Sequence, residues 1–217
     1  MSGTFELPIA HVPAHDAGWL RAARLARLLA WASLAWMAVE GAVGIVAGLQ
    51  ADSISVLTWA AGSVVEGLAS VIVVWRFTGR RTLSPESERK AQQWVGGSFF
   101  LLAPFFLYEA IHRLVTADAH AETTTLAVGL TASSVVLMPV LGWAKLRLGR
   151  RLDSGATAGE GVQNLLCAGQ ALAALIAVSA AGAGLGIVDP IAAILIAGVA
   201  AWEGAALWRG EESCACC

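Results

Sequence analysis

The sequence predicts an all-α integral membrane protein, a six-helix transmembrane bundle with both termini on the cytoplasmic side. Three observations carry this expectation. The 217 residues are 57% apolar and only 14% charged, with a mean hydropathy of +0.68, whereas a soluble domain carries nearer a quarter charged residues. Six stretches are apolar enough to cross a hydrocarbon core of about 30 Å, which takes roughly 20 helical residues. Of the 14 basic residues, all but Arg113 gather at one set of span ends, which the positive-inside rule makes cytoplasmic. The formal charge of −2 lacks the basic excess of a nucleic-acid binder.

Taken in order, residues 28–49 follow Arg21, Arg24 and Arg27 and contain a single charge, Glu40. Residues 54–75 contain only Glu66, and a loop with Arg76, Arg80, Arg81, Arg89 and Lys90 follows. The third span, 91–111, holds Glu109, and the fourth, 123–144, holds no charge and leads into Lys145, Arg147, Arg150 and Arg151. Residues 161–188 are uncharged, and their glycine-rich part around 182–186 suits a turn before the last span. That span, 190–207, contains Glu203 and is followed by Arg209. Asp189 before Pro190 reads as a helix start, the carboxylate capping free N–H groups with proline at the first helical position. Period-2 alternation is absent, which argues against a barrel. Trp75, Trp94, Trp143 and Trp208 stand at cytoplasmic span ends, where amphipathic rings suit the headgroup layer.

The expected organisation is a cytoplasmic tail over 1–27, a transmembrane domain over 28–208 and a short cysteine-rich tail over 209–217. No cleaved signal peptide is apparent at the start. His11, His15 and Asp16 are a possible metal group there, against the plainer alternative of a solvated tail.

An ionisable group within a bilayer costs several kcal/mol unless paired or hydrated, so each is a functional candidate. Helical rise places Glu66 about 15 Å in from Arg76, near the midplane. Gln163 and Cys167, counted inward from Arg151, reach a similar depth. A carboxylate, an amide and a thiol converging there make a cation site, the sulfur favouring a softer metal. Glu40, roughly 20 Å beyond Arg27, is either a proton carrier or accessory ligand, or a protonated acid hydrogen-bonded to a neighbouring helix. Glu109 has Arg113 at i+4, which fits an ion pair.

The segment Ser53-Ile54-Ser55-Val56-Leu57, followed by Gly62 and Glu66, resembles span 2 of the cation diffusion facilitator (cation efflux) family. Glu160, Gln163 and Cys167 fall at the spacing of its span-5 motif, and Asp189-Pro190-Ile191-Ala192 resembles the opening of its span 6. Ser87-Glu88-Arg89 and Phe99-Phe100-Leu101-Leu102-Ala103 are similar to its short bacterial members, which lack the large cytoplasmic domain. The resemblance covers about residues 28–208. It implies a proton-coupled exporter of divalent cations in the cell membrane, commonly for zinc, working as a homodimer with its metal site between spans 2 and 5. In that frame Glu66, Gln163 and Cys167 are the metal ligands, and Glu40 and Glu160 are accessory metal or proton groups. The transported ion is expected to be Zn²⁺, or Cd²⁺, Co²⁺, Mn²⁺ or Fe²⁺, with no resident cofactor.

Gly62 offers no side chain where the family carries a metal ligand, Gln163 is a neutral oxygen donor and Cys167 replaces a carboxylate. A non-transporting metal sensor or scaffold is therefore the alternative function. Enzyme motifs such as Gly-x-Ser-x-Gly and His-Glu-x-x-His are absent, so an enzyme is not expected. Cys214, Cys216 and Cys217 near Glu211 and Glu212 suit capture of a thiophilic ion, with palmitoylation or no role as the alternatives.

Overall fold

The computed structural model describes residues 16–50, 54–116, 125–179 and 187–211. They form six helices: α1 Ala17–Gln50, α2 Ile54–Arg76, α3 Pro85–Thr116, α4 Thr125–Leu152, α5 Gly155–Ser179 and α6 Val188–Arg209. A short 3₁₀ turn, Gly79–Leu83, joins α2 to α3. Every expected span is matched by a helix, and no strand occurs among the described residues. Helices α1, α3, α4 and α6 are long and apolar enough to cross a membrane. Along α5 the apolar run is diluted by Glu160, Gln163, Asn164 and Gln170.

Local chemistry explains where the helices overrun the expected spans. The Trp19 N–H donates to Asp16 Oδ1 at 2.6 Å, an N-cap that starts α1 at Ala17. The part of the expected tail from Ala17 to Arg27 is thus helical. Helix α4 does not stop at 144, because Leu146, Leu148 and Leu152 are buried and continue its apolar face through the basic segment.

The helices pack most extensively as the pairs α4–α5, α3–α6 and α1–α2. Their contact faces are built from small residues, Ala22, Ala26, Ala30, Ala69, Ala91 and Ala158 among them. Where α4 crosses α5, a Cβ on Gly142 would stand 2.9 Å from the Gly161 carbonyl oxygen, and one on Gly161 equally close to that of Gly142. Only glycine permits this approach, the packing mode of helices that lack a hydrophobic drive toward each other in lipid. The outer faces are apolar as well: Leu49, Val136 and Leu195 are each about two-thirds exposed. A helix apolar on all sides suits a bilayer.

Buried ion pairs tie both ends of the bundle. At the basic end Glu88 Oε2 accepts from Arg76 Nε at 2.7 Å, while its Oε1 accepts from Ser154 Oγ at 2.9 Å and from the Ala156 N–H at 3.2 Å. One carboxylate thereby joins α2, α3 and the start of α5. At the opposite end Arg113 pairs with Glu109 at 2.5 Å, the expected i,i+4 pair, and also with Asp189. Asp189 corrects the sequence expectation. Helix α6 has no side-chain cap; the buried Asp189 instead accepts from Arg113 and, at 2.8 Å, from Gln170 Nε2. Its two oxygens are engaged separately, one by Arg113 of α3 and the other by Gln170 of α5.

Candidate functional site

Glu66 lies midway along α2 and is partly buried. From α5 the Cys167 thiol comes within hydrogen-bonding reach of its carboxyl, and Glu40 of α1 is close enough to act electrostatically on both. Glu66 and Cys167 thus face each other between α2 and α5, with Glu40 acting on them electrostatically from α1. Glu40 is buried, and its Oε1 accepts from Ser134 Oγ of α4 at 3.3 Å, with Trp36 Nε1 donating to the same hydroxyl at 3.4 Å. The other oxygen, Oε2, is buried and accepts no hydrogen bond from the protein.

Gln163 sits one turn before Cys167 on the same face of α5. Its Nε2 donates to Ser98 Oγ of α3 at 2.8 Å, and that hydroxyl donates on to the Val95 carbonyl at 2.7 Å. The amide orientation is thereby set, and Gln163 Oε1 is left buried without a donor. Glu160, one turn earlier, is directed elsewhere: its Oε1 accepts from Lys145 Nζ at 2.7 Å.

Gly62 precedes Glu66 by one turn of α2. A Cβ there would lie 2.9 Å from Cε1 and 3.2 Å from Cζ of Phe105, an aromatic ring of α3. The space a side chain at 62 would use is filled by that ring. Among the described residues no group of three or more His, Cys, Asp and Glu stands ready to hold a metal.

Lys145 is a buried charge that the sequence hides, since it reads there as the first cation of a basic loop. It is instead fully buried, donating to Ser33 Oγ at 2.5 Å and Asn164 Oδ1 at 2.8 Å besides Glu160. The available signal was the run of leucines at 146, 148 and 152, which continues α4 past Lys145. The expected tail groups, His11 and His15 at one end and Cys214, Cys216 and Cys217 at the other, lie outside the described residues, as does Ser53.

A bundle of apolar helices with carboxylate, thiol and amide groups inside it defines a multi-pass membrane protein built to handle cations. Residues 91–209, more than half of the chain, match the model of the cation efflux transmembrane domain. The chain belongs to the cation efflux family, whose members are divalent-cation transporters rather than enzymes. A search of curated proteins finds no match to it.

Proposed function

We propose that this protein exports a divalent transition metal, zinc or a close relative, from the cytoplasm in exchange for protons, with Glu66, Cys167 and Gln163 as ligands. The observation that carries the reading is the meeting of Glu66 and Cys167 across α2 and α5, with Glu40 acting on both. Ionised, Glu66 supplies the hard anionic ligand; protonated, it releases the ion, so metal and proton compete for one carboxylate. Glu40 is the accessory group, its free Oε2 able to take a proton or complete the ligand shell. In this reading all six helices span the cell membrane, the termini and the basic end are cytoplasmic, and two copies associate. The cysteine-rich tail would capture a thiophilic ion before it enters.

Flux into proteoliposomes under a pH gradient tests this. Wild-type protein is expected to carry Zn²⁺ in proportion to the gradient, and Glu66→Gln to carry none. Equal flux from the two removes the mechanism.

A second reading, a metal sensor or scaffold that no longer turns over, is favoured by one observation: Phe105 fills the space at Gly62. Calorimetry with Zn²⁺, Cd²⁺, Co²⁺ and Mn²⁺ beside the flux assay separates the two. Binding without flux supports the sensor, and neither supports a scaffold.

A further inference from the structure

At the basic end of the bundle, Arg27 and Arg81 meet no carboxylate among the described residues, whereas the neighbouring Arg76 is answered by Glu88. Arg81 follows Gly79, whose φ of 64° lets the chain turn back over the end of α2. Arg76 fixes that turn by donating to the Arg81 carbonyl. Arg81 Nε donates to the Trp75 carbonyl at 2.8 Å, and its guanidinium stands 5.0 Å from the Trp75 ring centre. From α1, Arg27 Nη1 donates to the Phe77 carbonyl at 3.2 Å. A guanidinium has five N–H donors, and these bonds are the only ones that either arginine makes among the described residues.

Both side chains line one cavity of about 590 Å³ between α1 and α2, within the roughly 300–1,000 Å³ of small-ligand sites. Thr78 joins them there, and Trp31, Val71 and Val74 line the part further into the bundle. Thr78 and Val71 are separated by about 10 Å at helical rise. The cavity is therefore cationic at the membrane surface and apolar toward the bilayer interior. The carbonyls at the end of α2 would repel an anion, but they are already engaged. Val74 accepts from Thr78 Oγ1 at 2.6 Å, Trp75 from Arg81 and Phe77 from Arg27. Interfacial arginines commonly reach out into water; these two are half-buried and tied to backbone, so their remaining donors are held in place before a ligand arrives.

We infer that this cavity binds one anionic phospholipid, its phosphate held by Arg27 and Arg81 and an acyl chain lying against Trp31, Val71 and Val74. Charge and shape together select the occupant. Guanidinium forks match phosphate oxygens, and basic pockets between transmembrane helices suit anionic headgroups. The apolar wall beneath them gives an acyl chain a surface and gives a free phosphate nothing. The inference needs only that this end of the bundle lies at a membrane surface, so it stands apart from the transport reading.

Native mass spectrometry of the full chain in neutral detergent, titrated with phosphatidylglycerol or phosphatidylcholine, tests this. Wild-type protein is expected to retain one phosphatidylglycerol per chain at concentrations where phosphatidylcholine is not held. An arginine near an anionic headgroup contributes about fivefold, so Arg27→Gln/Arg81→Gln is expected to weaken retention by about 25-fold. Arg24→Gln/Arg80→Gln removes the same charge from exposed positions outside the cavity and is expected to keep most of the retention. Val71→Trp, at a position 46% exposed, fills the apolar part and leaves both arginines in place; it is expected to fold and to lose the lipid. Should Arg27→Gln/Arg81→Gln fail to fold, Val71→Trp and the choice between the two lipids decide. Equal retention of the two lipids, equal losses in the two arginine pairs, or full retention in Val71→Trp overturns the inference. Displacement of the lipid by millimolar inorganic phosphate overturns it too, since the site would then be one for a free anion. So does loss of dimers in place of lipid in Arg27→Gln/Arg81→Gln, which would give the cavity to a second copy of the chain.

Discussion

Restoring a carboxylate at position 62 would ask whether Phe105 is what limits the cation site. An aspartate there stands one helical turn before Glu66 on the same face of α2. Its Cβ would meet Phe105 Cε1 at 2.9 Å, against an optimum of about 3.5–4.0 Å between carbon atoms. The overlap is at least about 0.6 Å by that comparison, and relieving it by overpacking costs about 1–3 kcal/mol. A second anionic ligand is expected to tighten Zn²⁺ binding by about tenfold or more, worth ~1.4 kcal/mol. That strain is present with and without the ion, so it lowers stability; affinity in Gly62→Asp alone is expected to stay within a few-fold of wild type because the ring turns the new carboxylate away from Glu66. In Gly62→Asp/Phe105→Ala the ring is gone and the full gain is expected. The four proteins form a double-mutant cycle whose coupling should exceed about 0.5 kcal/mol, read by Zn²⁺ calorimetry in detergent. Gly62→Asp binding as tightly as the double variant, or the double variant binding no better than Phe105→Ala, refutes the role assigned to the ring.

Two further outcomes follow from the same geometry. Glu88→Gln keeps an acceptor for Ser154 but removes the charge facing Arg76, whose side chain is 6% exposed. Breaking a fully buried pair costs ~3–5 kcal/mol; with Glu88 itself 15% exposed, about 2 kcal/mol is expected. For a chain of this size that is a fall in Tm of about 4–8 °C, and a scan in detergent showing none would remove Glu88 as the tie between α2, α3 and α5. Cys167→Ser exchanges sulfur for oxygen within reach of Glu66, so Cd²⁺ affinity should fall by about tenfold while Zn²⁺ affinity falls less. Equal losses for both metals in competition calorimetry would mean that the thiol is not a ligand.

The six helices were legible because length and apolarity are properties of the chain itself, and a bilayer leaves few other ways to satisfy the backbone. That Glu66 and Cys167 share one level of the bundle was legible for a similar reason: helical rise from the flanking arginines converts position into distance. What stayed hidden depends on partners brought from elsewhere. Lys145 reads as a loop cation until α4 is known to continue over it and α5 to present Glu160 and Asn164. Asp189 carries every local mark of a cap, and only Arg113 of α3 and Gln170 of α5 draw it away. The meeting of Phe105 with Gly62 joins two helices whose sequences give no hint of it.

The polar interior has a consistent sense along α5. Of the buried side-chain atoms that find no partner among the described residues, Glu160 Oε2, Gln163 Oε1 and Gln170 Oε1 belong to this helix, and Glu40 Oε2 faces in from α1. All four are oxygens able to accept and none is a donor. Buried acceptors of this kind are answered by protons, water or cations. At 1.5 Å per residue the three on α5 extend over about 15 Å, half the thickness of a hydrocarbon core of about 30 Å. Lys145 contacts Glu160 at one end of this row and Arg113 contacts Asp189, the partner of Gln170, at the other. Fixed cations of the protein thus stand at both ends of the row, and the stretch without one is where Glu66 and Cys167 come together.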